Sequence, residues 1–436
     1  MAKKKAKKKT NKKTAAKKPA KKKSKKKTSS GTAAATGKGI RVRMYDVGFG
    51  DCFLMWIPGE NREHKVLVDC GSIAKRKKSM TDIVEQVIED VTDADGVARI
   101  DVVIATHRHQ DHVAGFTRES WDRVEVQEVW MPWTENPDDP VATDIRNTQS
   151  RLALSLTAAF AAAPVSQELT DLAFNALTNE TAMETLHNGF KGSPDRYFLP
   201  ESPNGGDPDD GRTRRFETPA LPGTTVFVLG PSRDKEIISD MDPPSGESYL
   251  RLVGSSDGQK KAPLPFASDW AQEWSPYQLS NDDEQYIQAI GNNMEEGLAV
   301  SLDSAVNGTS LMLVFKVGRT HLLFPGDAQW GTWRAALDDP EWNRLLAKTR
   351  FYKVGHHGSH NATPIDFVED TLEEDGKLAA MVSVRPRSNW PHIPRKPLLA
   401  ALKKRKAKIS RSDEVNQAAP FTRNGDFWVE TVIAIE

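Results

Sequence analysis

The sequence predicts an α/β protein, and three observations carry that prediction. Short β-branched runs such as Ile100-Asp101-Val102-Val103-Ile104-Ala105 recur along the chain. Between them, residues 80–91 place Ile83, Val84, Val87, Ile88 and Val91 at helical spacing on one face. Several strand-like runs then end in loops rich in His or Asp, the densest being Thr106 to Gly115, T-H-R-H-Q-D-H-V-A-G. In α/β sheets the loops leaving the strands are where chemistry is usually placed.

The elements follow in order. Residues 1–28 hold 16 lysines, no acid and no aliphatic residue larger than Ala after Met1. Such a segment cannot bury enough apolar surface to fold, so residues 1–39 read as a disordered lysine-rich tail before a domain at 40–436. Strands at about 40–48, 52–58 and 64–70 form an antiparallel start, followed by the 80–91 helix, the 100–105 strand and a strand at 124–133. Residues 136–300 read as a long insertion. Within it, 144–163 is an amphipathic helix with Ile145, Leu152, Leu156 and Phe160 inward. The Pro-, Gly- and Asp-dense stretch 193–223 reads as loop, 224–229 as strand and 231–283 as irregular. Leu311–Val317 and His321–Phe324 pair around the turn Gly318-Arg319 and run into Pro325-Gly326-Asp327. Strand 351–354 leads to Gly355-His356-His357-Gly358-Ser359-His360-Asn361, and strand 381–384 leads towards Pro391-His392.

The formal net charge of zero is a cancellation. Beyond residue 28 the chain carries 44 basic and 60 acidic side chains. A lysine run from Lys3 to Lys27 is by its physics a ligand for nucleic acid or another polyanion, with affinity that falls steeply with salt. The alternative is a solubility tail, or one that folds back on the acidic remainder. No aromatics interleave the lysines, which argues against base stacking. Residues 29–39 lack the apolar stretch of a signal peptide, and no run approaches the ~20 apolar residues of a membrane span. The two cysteines, Cys52 and Cys70, fall inside predicted strands, which suits core packing and a reducing cytoplasm.

Three imidazoles and a carboxylate within six positions, His107, His109, Asp111 and His112, point to a metal site. Histidines this dense repel once charged and gain little without a cation, the other reading being polar decoration of a surface turn. Zinc and related metals accept the N/O set. His107 and His109 are spaced to grip one ion while Asp111 and His112 turn to a second, and Asp327 at its strand exit has two oxygens with which to bridge them.

The motif H-x-H-x-D-H at 107–112 resembles the signature of metallo-β-lactamase-fold hydrolases. Tyr45-Asp46-Val47-Gly48-Phe49-Gly50-Asp51, Val66-Leu67-Val68-Asp69-Cys70-Gly71, Leu322-Leu323-Phe324-Pro325-Gly326-Asp327, Lys353-Val354-Gly355-His356-His357-Gly358-Ser359 and Pro391-His392 extend the likeness. Within that family they are most similar to the soluble domain of DNA-internalisation competence proteins and their stand-alone relatives. The resemblance covers roughly 40–135 and 224–436. It departs at His109, where those proteins often carry Asp, and in the lack of a fused membrane channel.

The resemblance implies an αββα sandwich and a hydrolase with two divalent ions, zinc foremost and manganese second, activating a bridging hydroxide. His107, His109 and His356 would hold one ion, Asp111, His112 and His392 the other, with Asp327 bridging. Asp111, His357 and His392 are the expected catalytic residues, His357 orienting substrate or exchanging roles with His356. His187 is the remaining candidate for the third ligand of the first ion, although its setting reads as a helix end. His64 and His321, within or at strands, read as structural. The function classes are a phosphodiesterase or nuclease, favoured by the resemblance and the lysine run; a hydrolase of a small ester, amide or phosphoester, favoured by the acidic remainder; and a non-catalytic binding protein. Arg385, Arg387, Arg395 and Lys396 flank His392 and would make the mouth locally basic.

Overall fold

A computed structural model describes residues 39–73, 78–162, 175, 179–200, 214–240, 243, 247–248, 302–387 and 392–436. The lysine-rich tail and most of the stretch expected to be irregular, 231–283, lie outside these residues. The described residues form a mixed α/β structure with two mixed sheets.

Strands β1 (Gly39–Tyr45), β2 (Cys52–Pro58), β3 (Glu63–Cys70), β4 (Arg99–Ile104), β5 (Glu125–Pro132) and β6 (Asp195–Leu199) run consecutively across the first sheet. β14 (Thr422–Asn424) and β15 (Trp428–Ala434) complete it beside β1, giving eight strands. The second sheet has seven, in the order β13 (Lys408–Arg411), β12 (Ala379–Val382), β11 (Thr349–Lys353), β10 (Thr320–Phe324), β9 (Met312–Val317), β8 (Thr224–Gly230) and β7 (Arg215–Phe216). The start β1–β2–β3 is antiparallel, as the sequence predicts, whereas β3–β4–β5–β6 and β10–β11–β12–β13 are parallel.

Period-two alternation explains the layering. Phe53, Met55 and Ile57 of β2 join Leu313, Phe315, Leu322 and Phe351 in the core between the sheets. Leu54 and Trp56 point the other way, to a core shared with Ile83, Val84, Val87 and Val91 of the helix Met80–Val91. The second sheet's outer face, with Val314, Leu323, Tyr352 and Ala380, is covered by Trp333, Leu346 and Leu402 from helices Trp330–Asp338, Pro340–Ala347 and Lys396–Lys404. Burial on both faces is why these strands read as continuous apolar runs rather than alternating ones. The order is thus helix, sheet, sheet, helices.

Two short segments of the 193–223 stretch correct the loop expected there, while 201–213 lie outside the described residues. Tyr197, Phe198 and Leu199 pair with Trp130, Met131 and Pro132 on β5, and Arg215-Phe216 pairs with β8. The surrounding Pro and Gly mask these short edge strands in the sequence. The long helix begins at Pro140, earlier than its apolar pattern suggests, because Asp139 caps it by accepting from the Val141 and Ala142 amides. Leu156 and Phe160 are buried along it, while Ile145 and Leu152 are half-buried. Cys52 and Cys70 are free, buried and directly opposed across β2 and β3.

Candidate metal centre

Four strands of the two sheets deliver polar side chains to one place. β3 carries Asp69 at its penultimate position, β4 runs into Thr106–His112, β10 into Asp327, and β11 into His356 and His357. The loop after β4 reaches the sheet closely: a Cβ on Gly71 would lie 2.4 Å from the His112 amide nitrogen, and one on Gly50 would lie 2.6 Å from the Asp111 carbonyl oxygen. Only glycine admits that approach.

Asp111, His112, Asp327 and His357 each offer a ligand atom, and these atoms lie within 4.8 Å of one another, all buried. Nε2 of His112 is 3.1 Å from Asp327 Oδ2, and Nε2 of His357 is 3.2 Å from Asp111 Oδ2. Their orientation is fixed from behind. Nδ1 of His112 donates to Asp69 Oδ2 at 2.8 Å, and Nδ1 of His357 donates to the Ser383 carbonyl at 2.8 Å. Asp69 is itself pinned by the Thr106 amide and hydroxyl, both at 2.7 Å.

His107 and His109 form the adjoining pair, with Nε2 of the first 3.1 Å from Nδ1 of the second. Both are buried. His356 stands at the rim: its amide donates to Asp327 Oδ1 at 3.0 Å and its Nε2 lies 4.0 Å from Asp327 Oδ2. The exposed His392 is not brought to the cluster, and the ring beside Asp111 belongs to His357. His357 thus stands where the sequence reading placed His392. The choice between the adjacent histidines is made by the backbone: His356 and His357 have φ of 44° and 53°. Two successive non-glycine residues in the left-handed region turn the second ring inward, a conformation that costs of order 1 kcal/mol per residue and tends to mark functional sites. His187 lies elsewhere, half-buried and stacked on Phe198 near the end of helix Glu180–Asn188. His64 faces Asp101, and His321 donates to the Leu345 carbonyl, as structural residues.

The electrostatics differ across the site: burial opposes charge on every ring, yet the surrounding carboxylates outweigh it at His112 and His357 and raise both, whereas His107 and His109 are lowered. Burial, then the neighbouring imidazoles, hold His107 well below its usual range, and burial brings His109 down to about 4. Both are therefore neutral at pH 7, one donating its ring N–H to the lone pair of the other. Burial opposes ionisation of Asp111, yet His112 and His357 hold its carboxyl far below normal. One oxygen of that carboxylate, Oδ1, is buried without a hydrogen-bond partner, as is Nε2 of His109. Orphaned polar atoms of this kind are costly unless a further ligand satisfies them. The donor set, mixed imidazole and carboxylate, fits a divalent ion of the zinc type.

Four contributors, Lys353, Asp51, Asp69 and Asp303, carry no assigned role in the sequence reading. Lys353 Nζ sits between Asp51 and Asp327, 3.2 Å from Asp327 Oδ1, and donates to the Gly326 carbonyl. Burial works against its charge, but the two carboxylates outweigh burial and raise its pKa. Asp51 and Asp69 also approach His112, but Lys353 already supplies a cation against Asp51. Asp303, in the segment before β9, lies 3.7 Å from His109 Nε2 and accepts from Asn307. Asp69 obeys the strand-exit rule that singled out Asp327, so it was findable; Asp303 carried no local signal. No protein-family model matches the chain, and no curated protein matches it.

Proposed function

We propose that the chain is a binuclear metal-dependent hydrolase of the metallo-β-lactamase kind, acting on phosphodiesters. The observation that carries this reading is the convergence of Asp111, His112, Asp327 and His357 within 4.8 Å, with His107 and His109 adjoining. The first four would hold one zinc or manganese ion; His107 and His109 would hold the second, with Asp327 and His356 beside them. When bound, such ions supply Lewis acidity and bring the pKa of a coordinated water towards neutrality. Asp69 and the Ser383 carbonyl fix the ring orientations, and Lys353 fixes Asp327. Phe49 lies against His357, with ring centroids 4.3 Å apart, and the Arg387 guanidinium stands 5.7 Å from the Phe49 ring.

The lysines from Lys3 to Lys27 favour nucleic acid among phosphodiesters, serving as a tether that raises local substrate concentration. A hydrolase of a small ester, amide or phosphoester is the second reading, favoured by the 44 basic against 60 acidic residues of the chain beyond residue 28. The test is a metal-supplemented screen with bis-p-nitrophenyl phosphate, single-stranded and duplex DNA, RNA, carboxyl esters and lactones. Turnover of phosphodiesters alone supports the first reading and turnover of esters or lactones alone supports the second. No turnover by protein verified to hold metal removes both.

A further inference from the structure

At the opposite ends of β10 and β11 from the metal centre, a second cleft of about 560 Å³ opens beside His321, Trp342 and Lys348. Its volume falls in the range of small-molecule sites. Arg215, Lys316, Arg319, Arg344 and Lys348 line it, and none makes an ion pair with any described residue. Elsewhere on the described surface, arginines such as Arg99, Arg334 and Arg411 are paired with acids. The cleft is also unlike the composition beyond the tail, in which acids exceed bases.

The acids at the cleft do not neutralise it. Arg350 faces Glu373, Asp375 and Glu436 at 3.2–3.5 Å, and Lys377 takes Glu436 again at 2.7 Å. Of the lining acids only Glu341, in the first turn of helix Pro340–Ala347, has no cationic partner among the described residues. The field is felt at the floor: burial first, then Lys316, Lys348 and Arg350, lower the pKa of His321. Five cations lining one cleft against a single unpaired acid, Glu341, leave an excess of positive charge that an anion would offset, and Arg and Lys side chains together match phosphate oxygens.

We propose that this cleft binds a small anion bearing several phosphates, of the class of inorganic or nucleoside polyphosphates, independently of the metal centre. The probe is inorganic triphosphate, titrated calorimetrically into the full chain in the presence of EDTA, at low and high salt. Lys316→Ala/Lys348→Ala should weaken the tightest site by about tenfold or more, the loss expected for two charged hydrogen-bonding partners. The control Lys403→Ala/Lys404→Ala removes two exposed charges elsewhere and should leave that site unchanged. Binding to the lysine-rich tail is common to all three proteins and cancels. Arg344→Glu, on an exposed helix position, should weaken the site further, with thermal melting checked for each variant. The proposal is overturned if the isotherms of cleft and control variants coincide. It is overturned too if the cleft variants lose affinity only for a single-stranded oligonucleotide, which would make the cleft a nucleic-acid groove.

Discussion

Nε2 of His357 lies 3.2 Å from Asp111 Oδ2, while its other ring nitrogen is held by the Ser383 carbonyl at 2.8 Å. A ring clamped in this way is suited to be a ligand, and the histidine that shares its motif, His356, is left at the rim. His357→Ala should therefore remove about one equivalent of metal from a protein that otherwise holds about two. Phosphodiester turnover should fall about a hundredfold or more. His392→Ala should leave both near wild type. Metal analysis by mass spectrometry alongside bis-p-nitrophenyl phosphate kinetics decides the matter, and the opposite ranking would sink this ligand assignment.

Asp69 acts through His112. Asp69→Asn keeps the shape but weakens the acceptor for Nδ1–H, so affinity for zinc should drop about ten- to a hundredfold. Competition with a chromophoric chelator reads this directly. An unchanged affinity would mean that Thr106, and not His112, is the group Asp69 serves.

Burial, reinforced by Asp111 and Asp327, pushes the Asp303 carboxyl up to about 8. In the metal-free protein the folded state keeps this proton at pH values where the unfolded chain, with a carboxyl pKa of about 4, has released it. The associated stability is complete below about pH 4 and is lost as pH rises towards 8. Urea midpoints at stepped pH, with chelator present, should fall less steeply across this window for Asp303→Asn than for wild type. Parallel profiles would show that Asp303 is ionised in the folded chain.

Removing residues 1–28 takes away 16 lysines. Hydrolysis of a small chromogenic phosphodiester should be unaffected, whereas DNA or RNA affinity should fall sharply at low salt and little at high salt. Equal nucleic-acid binding by the truncated and full chains across a salt titration would rule out the tail as a tether.

The strand exits were legible because one rule, an apolar run followed by His or Asp, applies at β4, β10 and β11. Helix Met80–Val91 was legible from spacing alone, its five predicted apolar residues all being buried. The choice between His356 and His357 was not, since adjacent identical side chains differ only in the φ each adopts. Asp303 escaped because it meets His109 only through tertiary folding. The edge strands β6 and β7 escaped because their two to five residues are too short for a period to emerge among prolines and glycines.

The separation of the ligands along the chain sets an order of events during synthesis. His112 meets Asp327 across 215 residues, and Asp111 meets His357 across 246. At the usual pace of a ribosome, the three imidazoles after β4 wait roughly ten to fifty seconds for the residues that complete their surroundings. On the proposed function, an ion caught during that interval would be held by a partial set and exchange freely. Durable loading would belong to the finished chain, since truncated products would lack the residues that complete the centre.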